Sequence, residues 1–325
     1  MRIIFMGTPE FAVPSLESLL QGGYEVVGVV TQPDRPKGRG QAVVASPIKQ
    51  LAESQGIPIL QPEKMKSPEL LEALAAWRPD VIAVTAFGRI LPKSILDLPP
   101  SGCVNVHGSL LPRCRGAAPI QWALINGDLE TGITTMLMDE GMDTGAMLLQ
   151  RVVPIEPEDT AAELGKRLAQ VGGVLLIETL KGLSDKTVTP QEQDHQKATN
   201  APLLTKAAGL INWTQSARDI VNRIRGLSPW PGCYTFLHDQ RLVIWKAREE
   251  ARAGEQNAEL TPGTVLGVNK HEIRVQTGEG VLRVTEVQPA NKRRMTVERF
   301  LQGRSLPSGE EFASELPPGT SLSSH

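Results

Sequence analysis

The sequence predicts an α/β protein in two parts, a Rossmann-like doubly wound parallel sheet domain followed by a small OB-like β-barrel domain. Three observations predict it. Near-continuous Val/Ile runs alternate with helical stretches through the first half of the chain, the pattern of a parallel sheet covered on both faces. Past Asn212, five short β-prone runs are separated by Gly and Pro turns. At 325 residues, the chain also exceeds what one core ordinarily supports. The expected boundaries are 1–189 for the first domain, 190–209 for a polar linker, 210–304 for the barrel and 305–325 for a disordered tail.

"RIIFMG" at residues 2–7 is the first buried strand, and "FAVPSLESLLQGG" follows with helical spacing and terminal glycines. "EVVGVVT" is the second strand. The alternation continues through "PIKQLAESQG", "IPILQ", "ELLEALAAW", "DVIAVTAFG" and "CVNVH". "TGITTMLMDEGMDTGAMLLQ" reads as two strands joined by a turn-rich loop, and a helix from about Thr160 to Gly182 closes the domain. In the second domain Thr214 caps a helix whose apolar residues are Ala217, Ile220, Val221 and Ile224. The strands there are "CYTFL", "LVIWKA", "GTVLGV", "EIRVQT" and "VLRVTEVQ".

With 40% hydrophobic and 22% charged residues, the composition is that of an ordinary globular protein. No apolar run approaches the ~20 residues that span a bilayer, and the start lacks a signal peptide, so a cytoplasmic protein, expected as a monomer, is the reading. Cys103, Cys114 and Cys233 have no zinc or disulfide spacing, and His195, His238, His271 and His325 are scattered, so no metal is expected. The first turn, "MGTPEFAVPS", has one glycine where a dinucleotide fingerprint wants three, and Glu10 would face the phosphates, so no nucleotide cofactor is expected either. Net charge is −2, but it is unevenly divided. Residues 1–205 carry 18 Lys+Arg against 23 Asp+Glu, whereas residues 206–304 carry 16 against 10. A basic second domain suggests a polyanionic partner.

The chemistry centres on "NVHGSLLPRCRG" from Asn105. Asn105 and His107 share one face of a strand, and the carboxyl ends of the strands, where Gly7, Phe87 and His107 fall, are where such sheets bind ligands. Asn105 can donate from its amide, His107 can carry a proton, and a carboxylate such as Asp143 would orient the imidazole. Taken singly, His107 also reads as a structural histidine and Asp143 as a turn cap. Ser109 sits in no nucleophile elbow, and Cys114 has no evident base partner. What remains is direct group transfer through a tetrahedral intermediate, its oxyanion held by Asn105 and His107.

"NVHGSLLPRCRGAAPIQWALINGD" followed by "TGITTMLMDEGMDTG" resembles the folate-dependent formyltransferases, and "GTPEFAVPSL", "TQPDRPKGRG", "AFGRILP" and "LSPWPGCYT" place the likeness in the tRNA-directed branch of that family. The resemblance runs from Arg2 to about Arg304. It implies transfer of a formyl group from 10-formyltetrahydrofolate to the amino group of methionine on initiator methionyl-tRNA, for translation initiation. By the same resemblance Asn105, His107 and Asp143 are catalytic. Phe87, Gly88, Ile90 and Leu91 line the pterin pocket, and Ser109, Leu110, Leu111 and Pro112 form the folate loop. "PDRPKGRG" resembles an insertion loop that enters the acceptor end of the tRNA, bringing Arg35, Lys37 and Arg39 as phosphate-seeking charges. One departure is Cys114, where relatives commonly carry an aromatic residue. The alternatives are a folate formyltransferase acting on a small amine, such as glycinamide ribonucleotide or an amino sugar nucleotide, and a catalytically idle nucleic-acid-binding protein.

Overall fold

The computed structural model describes residues 1–37, 42–250, 260–302 and 305–316, which fall into two compact units. The first comprises Met1–Pro119, Glu130–Pro154 and Leu164–Pro202. In chain order it contains β1 (Arg2–Gly7), α1 (Val13–Gln21), β2 (Glu25–Val30), β3 (Arg35–Lys37), β4 (Ala42–Val44), α2 (Pro47–Ser54), β5 (Ile59–Leu60), α3 (Pro68–Ala76), β6 (Val81–Thr85), α4 (Lys93–Leu96) and β7 (Cys103–His107). Strands β8 (Glu130–Leu137) and β9 (Met147–Pro154) and most of the long α6 (Ala161–Ser184) follow, whereas α5 (Pro119–Ile125), between β7 and β8, falls in the second unit from Ile120 onward.

The main sheet runs β5-β2-β1-β6-β7-β8-β9. The strands from β5 to β7 are parallel, and β8 and β9 are added antiparallel at one edge. The predicted strands are all present, but the antiparallel edge turns the doubly wound sheet into a mixed one. A hairpin connection such as the 138–146 loop can only join antiparallel neighbours. Strand β1 is buried along nearly its whole length, which explains why its sequence is continuously apolar rather than alternating. Helices α2 and α3 start at Ser46 and Ser67, whose hydroxyls accept from the amides of Lys49 and Leu70, each with a proline at the first helical position. Ile4, Met6, Val30, Leu74, Ile82, Val84, Phe87 and Leu91 belong to one core cluster of this unit.

The chain leaves β1 toward β2 and returns to place β6 on the other side of β1. The carboxyl ends of β1 and β6, paired at Gly7 and Thr85, therefore flank a topological switch point, the place where open α/β sheets bind ligands.

The second unit comprises Ile120–Leu129, Ile155–Glu163 and Leu203–His325. It holds α7 (Ala217–Gly226), β10 (Cys233–Leu237), β11 (Gln240–Glu250), β12 (Val265–Val268), β13 (Ile273–Gln276), β14 (Val281–Pro289), β15 (Met295–Thr296) and α8 (Val297–Leu301). All five predicted strands are present, antiparallel in the order β10-β11-β14-β13-β12, with β15 paired to β14. Ser216 rather than Thr214 caps α7, because its hydroxyl accepts from the amide of Asp219, while the Thr214 hydroxyl donates to Asn212.

Two expectations about connecting segments need correction. The segment expected as a linker is bonded into the first unit over 191–201: Gln191 pairs with Met147, and Thr199 and Ala201 pair with Arg115. The expected tail is ordered over 305–316, where the second unit buries Leu306 and Phe312. Phe312 stacks on the fully buried Trp213 with ring centroids 5.6 Å apart, and Ala313 donates to the Phe236 carbonyl. Two apolar anchors in a polar run are enough to hold it, and composition averages them away.

Candidate active site

Strand β7 places Asn105 and His107 on one face, with Val104 and Val106 buried on the other. No side-chain hydrogen bond ties the Asn105 amide to another described residue, so its N–H groups are available to a ligand. His107 is 6% exposed. Its Nε2 lies 3.0 Å from the Cys114 carbonyl, which can only accept, so Nε2 carries a proton. Its Nδ1 faces Asp143, 3.7 Å from Oδ1. The other carboxylate oxygen of Asp143 accepts from the Gly116 amide at 2.8 Å. The three residues chosen from the sequence therefore do meet, with the carboxylate held by the main chain beside the imidazole. The structure adds that His107 is hydrogen-bonded at Nε2 and faces a carboxylate at Nδ1, whereas the Asn105 amide has no side-chain partner among the described residues.

Asp143 itself adopts φ +56, a left-handed conformation that aspartate tolerates better than most residues. Its neighbour Gly145 is required for space, since a Cβ there would collide with the Leu137 carbonyl. Gly116, at φ +118, is required twice over, because its backbone is left-handed and a Cβ would lie 2.8 Å from the Ala201 carbonyl.

The segment 109–112 is fixed from within. The Ser109 hydroxyl donates to the Arg113 carbonyl at 2.6 Å and the residue is buried, so this side chain supports the loop rather than offering itself to folate. Thr134 on β8 donates to the Ser109 carbonyl and accepts from the Leu111 amide. Gln150 on β9 donates to the Leu111 carbonyl. Leu111 is buried, while Leu110 and Pro112 are half-buried.

The loop after β6 sits at the switch point. Ala86 and Gly88 have φ of +46 and +75 and are exposed, which for Gly88 means its main chain. The Phe87 carbonyl between them is taken by Gln32, at 2.8 Å, and by the Thr8 hydroxyl. Phe87, at 3% exposed, and Leu91 belong to the core cluster rather than to an open wall. Ile90, at 76%, stands in solvent. Exposed main chain flanked by an unburied apolar side chain fits a flat heterocycle with hydrogen-bonding edges.

Of the charges expected to meet a polyanion, Arg35 is exposed on β3 and Arg39 lies outside the described residues, as does the side chain of Lys37. Just before β3, hydrogen bonds from Lys49 and Gln61 hold the Asp34 carboxyl below its ordinary range. In the second unit, Arg218, Lys270, Arg274, Arg283 and Arg294 are each paired with a glutamate. These pairs place five of the unit's bases beside acids already counted in the balance and leave the net surplus unchanged. Arg225, Trp245, Lys246 and Arg248 line a groove of about 210 Å³ within that unit.

Sequence reasoning missed Thr134, Gln150, Gln193 and Thr199, all of which hold the site's loops. Their partners are tens of residues distant, and no local periodicity marks them. Among the described residues, no group of three or more His, Cys, Asp or Glu is placed to hold a metal ion, and no helix is long and apolar enough to cross a membrane.

A switch-point crevice beside an amide, an imidazole and a carboxylate defines a group-transfer enzyme. Residues 1–180 match the formyl transferase family and residues 203–305 match the formyl transferase C-terminal domain, so the chain belongs to the formyl transferase family. It is 51% identical over 306 residues to the methionyl-tRNA formyltransferase of Desulfotalea psychrophila, covering 94% of each chain. It is 52% identical over 310 residues to that of Caldanaerobacter subterraneus, covering 95% of this chain and 99% of the relative. Among solved structures, an N-formyltransferase from Helicobacter canadensis in complex with folinic acid and dTDP-3-aminofucose superposes with a TM-score of 0.66 at 18% identity, over 88% of this chain and 98% of that one. HypX from Aquifex aeolicus in complex with tetrahydrofolic acid superposes at 0.61 and 17%, over 93% of this chain and 47% of that one. These two likenesses are of fold.

Proposed function

We propose that this chain transfers the formyl group of 10-formyltetrahydrofolate to the amino group of methionine on initiator methionyl-tRNA, in the cytoplasm and as a monomer. The observation that carries this reading is identity of about half the residues, along nearly the whole chain and both domains, with proteins that bear that activity in their names. The first unit supplies the chemistry and the second, with the arm of Arg35, Lys37 and Arg39, supplies the hold on tRNA.

The folate co-substrate brings the formyl carbon, and Gly88, Ile90 and the 109–112 segment are the residues to receive it, with Phe87 and Leu91 supporting that wall from the core. The methionine amine attacks that carbon, forming the new N–C bond as the carbonyl oxygen becomes an oxyanion. The Asn105 amide, without a side-chain partner among the described residues, donates to that oxygen. The bond from the formyl carbon to the folate nitrogen then breaks. His107, once it exchanges the Cys114 carbonyl for substrate, gives its Nε2 proton to the leaving nitrogen and takes the proton lost by the amine in its place, and Asp143 balances the charge on the ring while both nitrogens are protonated. Hydrogen bonds of this kind commonly tighten only when substrate is bound.

The test is formylation of purified initiator methionyl-tRNA with 10-formyltetrahydrofolate, read by mass of the released aminoacyl product. An amino sugar nucleotide and glycinamide ribonucleotide serve as competing acceptors. Turnover of either small amine in preference to the tRNA would overturn the reading.

A further inference from the structure

Gln193 lies in the segment that looks like a linker in the sequence, yet it is 4% exposed and every polar atom of its side chain is used. Its Nε2 donates to the carbonyls of Asp143, at 2.9 Å, and Gly145, at 2.8 Å. Its Oε1 accepts from Nε and Nη2 of Arg115, at 3.1 and 2.7 Å. The amide can be oriented in only one way, because a guanidinium only donates and a carbonyl only accepts. Arg115 thus aims the amide, and the amide grips the carbonyl of Asp143 itself and the one two residues on, at Gly145.

That turn needs a grip. Asp143 is left-handed, a conformation disfavoured for a residue with a Cβ, and it persists only where the surroundings over-determine it. The same segment also holds the opposite side of the site. The Thr199 hydroxyl accepts from the Cys114 amide at 2.8 Å, and Ala201 bonds the Arg115 carbonyl at 2.7 Å. Cys114 is the residue whose carbonyl meets His107. One strap therefore ties the loop that carries the carboxylate to the loop that orients the imidazole.

We infer that Gln193, aimed by Arg115, is a positioning residue that holds the Asp143 carboxylate against His107. It touches neither substrate, and it acts on the rate through Asp143. The inference rests on the reading of Asp143 as part of the proton-carrying unit, and the experiment separates the two.

Gln193→Met keeps the length of the side chain and removes all four bonds. Gln193→Glu keeps the Arg115 contact, now as an ion pair, but turns oxygen instead of N–H toward the two carbonyls. Each is measured in the full-length protein, alone and combined with Asp143→Asn, for kcat and for KM toward folate and tRNA. Groups that orient a neighbouring functional side chain are commonly worth ~10- to 100-fold, so each single variant should lose that much in kcat with both KM values within about threefold. In the Asp143→Asn background the same substitutions should change kcat by less than about threefold, because the group they act through is gone.

Equal losses in the two backgrounds would make Gln193 a fold-stabilising residue only and overturn the inference. So would a normal kcat for Gln193→Glu. Near-normal turnover by Asp143→Asn alone would instead overturn the reading beneath it. If Gln193→Met does not fold, Gln193→Glu completes the same cycle.

Discussion

Asn105 and His107 differ in how the chain leaves them, and that difference predicts their kinetics. Asn105→Ala removes a donor with no other duty in the described chain, so turnover should fall ~100- to 1,000-fold with the melting temperature unchanged. His107→Ala removes a side chain that also bonds the Cys114 carbonyl, so a similar fall in turnover should come with a measurable loss of stability. Retained turnover in Asn105→Ala would remove it from the oxyanion role. The cysteines make a separate prediction. Burial, with a smaller contribution from the charge of Asp97, pushes the Cys103 thiol from an ordinary value of about 9 to about 12. Burial likewise raises Cys233 to about 12, against a smaller opposing effect of Arg223. The folded chain keeps these protons where the unfolded chain sheds them. Their contribution to stability is therefore complete below pH 9 and declines as pH rises toward 12. Denaturant midpoints should fall across that window, and native Cys103 and Cys233 should resist alkylation at pH 8; rapid labelling of either would contradict their burial.

At the scale of an element, the loop after β6 combines a packing role and a binding role in adjacent residues. Phe87 and Leu91 point into the core, and Ile90 points out. Phe87→Ala should therefore cost about 3–5 kcal/mol of unfolding free energy, the usual range for a buried phenylalanine. Ile90→Ala should leave stability within about 0.5 kcal/mol and raise the KM for 10-formyltetrahydrofolate. The opposite pattern in calorimetry and kinetics would reverse the assignment. The sequence told the two apart poorly, because "AFGRILP" is too short and too irregular for either periodicity to apply. By contrast β1, β2 and β6 were legible as strands, since burial of a parallel strand on both faces writes a continuous apolar run.

Over the whole molecule, the chain enters the second unit three times, at Ile120–Leu129, Ile155–Glu163 and from Leu203 onward. A single cut between domains is therefore not clean. Arg225 on α7 donates to the carbonyls of Asp159 and Glu156, at 2.8 Å each, and its half-buried guanidinium is held by them. A chain ending at Pro202 leaves those carbonyls without that donor and strips both excursions of their cover. We expect such a truncation to bind folate, to lose tRNA binding, and to melt several degrees lower than the full chain. An unchanged melting temperature would show that the excursions do not depend on the rest of their unit.

What the sequence determined by itself was what is written locally or in residue identity. It specified the alternation of strands and helices, the five strands of the second unit, the absence of a dinucleotide fingerprint, and the shared strand face of Asn105 and His107 by simple parity, with Asp143 as a candidate partner whose approach to His107 only the structure shows. The tertiary structure decided what depends on distant partners. It added the antiparallel edge formed by β8 and β9, and it turned the segment 191–201 from an expected linker into a strap across two loops of the site. It assigned the Ser109 hydroxyl to its own loop and paired five bases of the second unit with glutamates. A hydrogen bond between Gln193 and Asp143 spans 50 positions, and one between Arg115 and Gln193 spans 78. Periodicity reports which face of an element is buried and carries no information about which remote backbone group a polar side chain meets. Only the packing of the sheet, by fixing where each loop emerges, brings those groups within hydrogen-bonding distance.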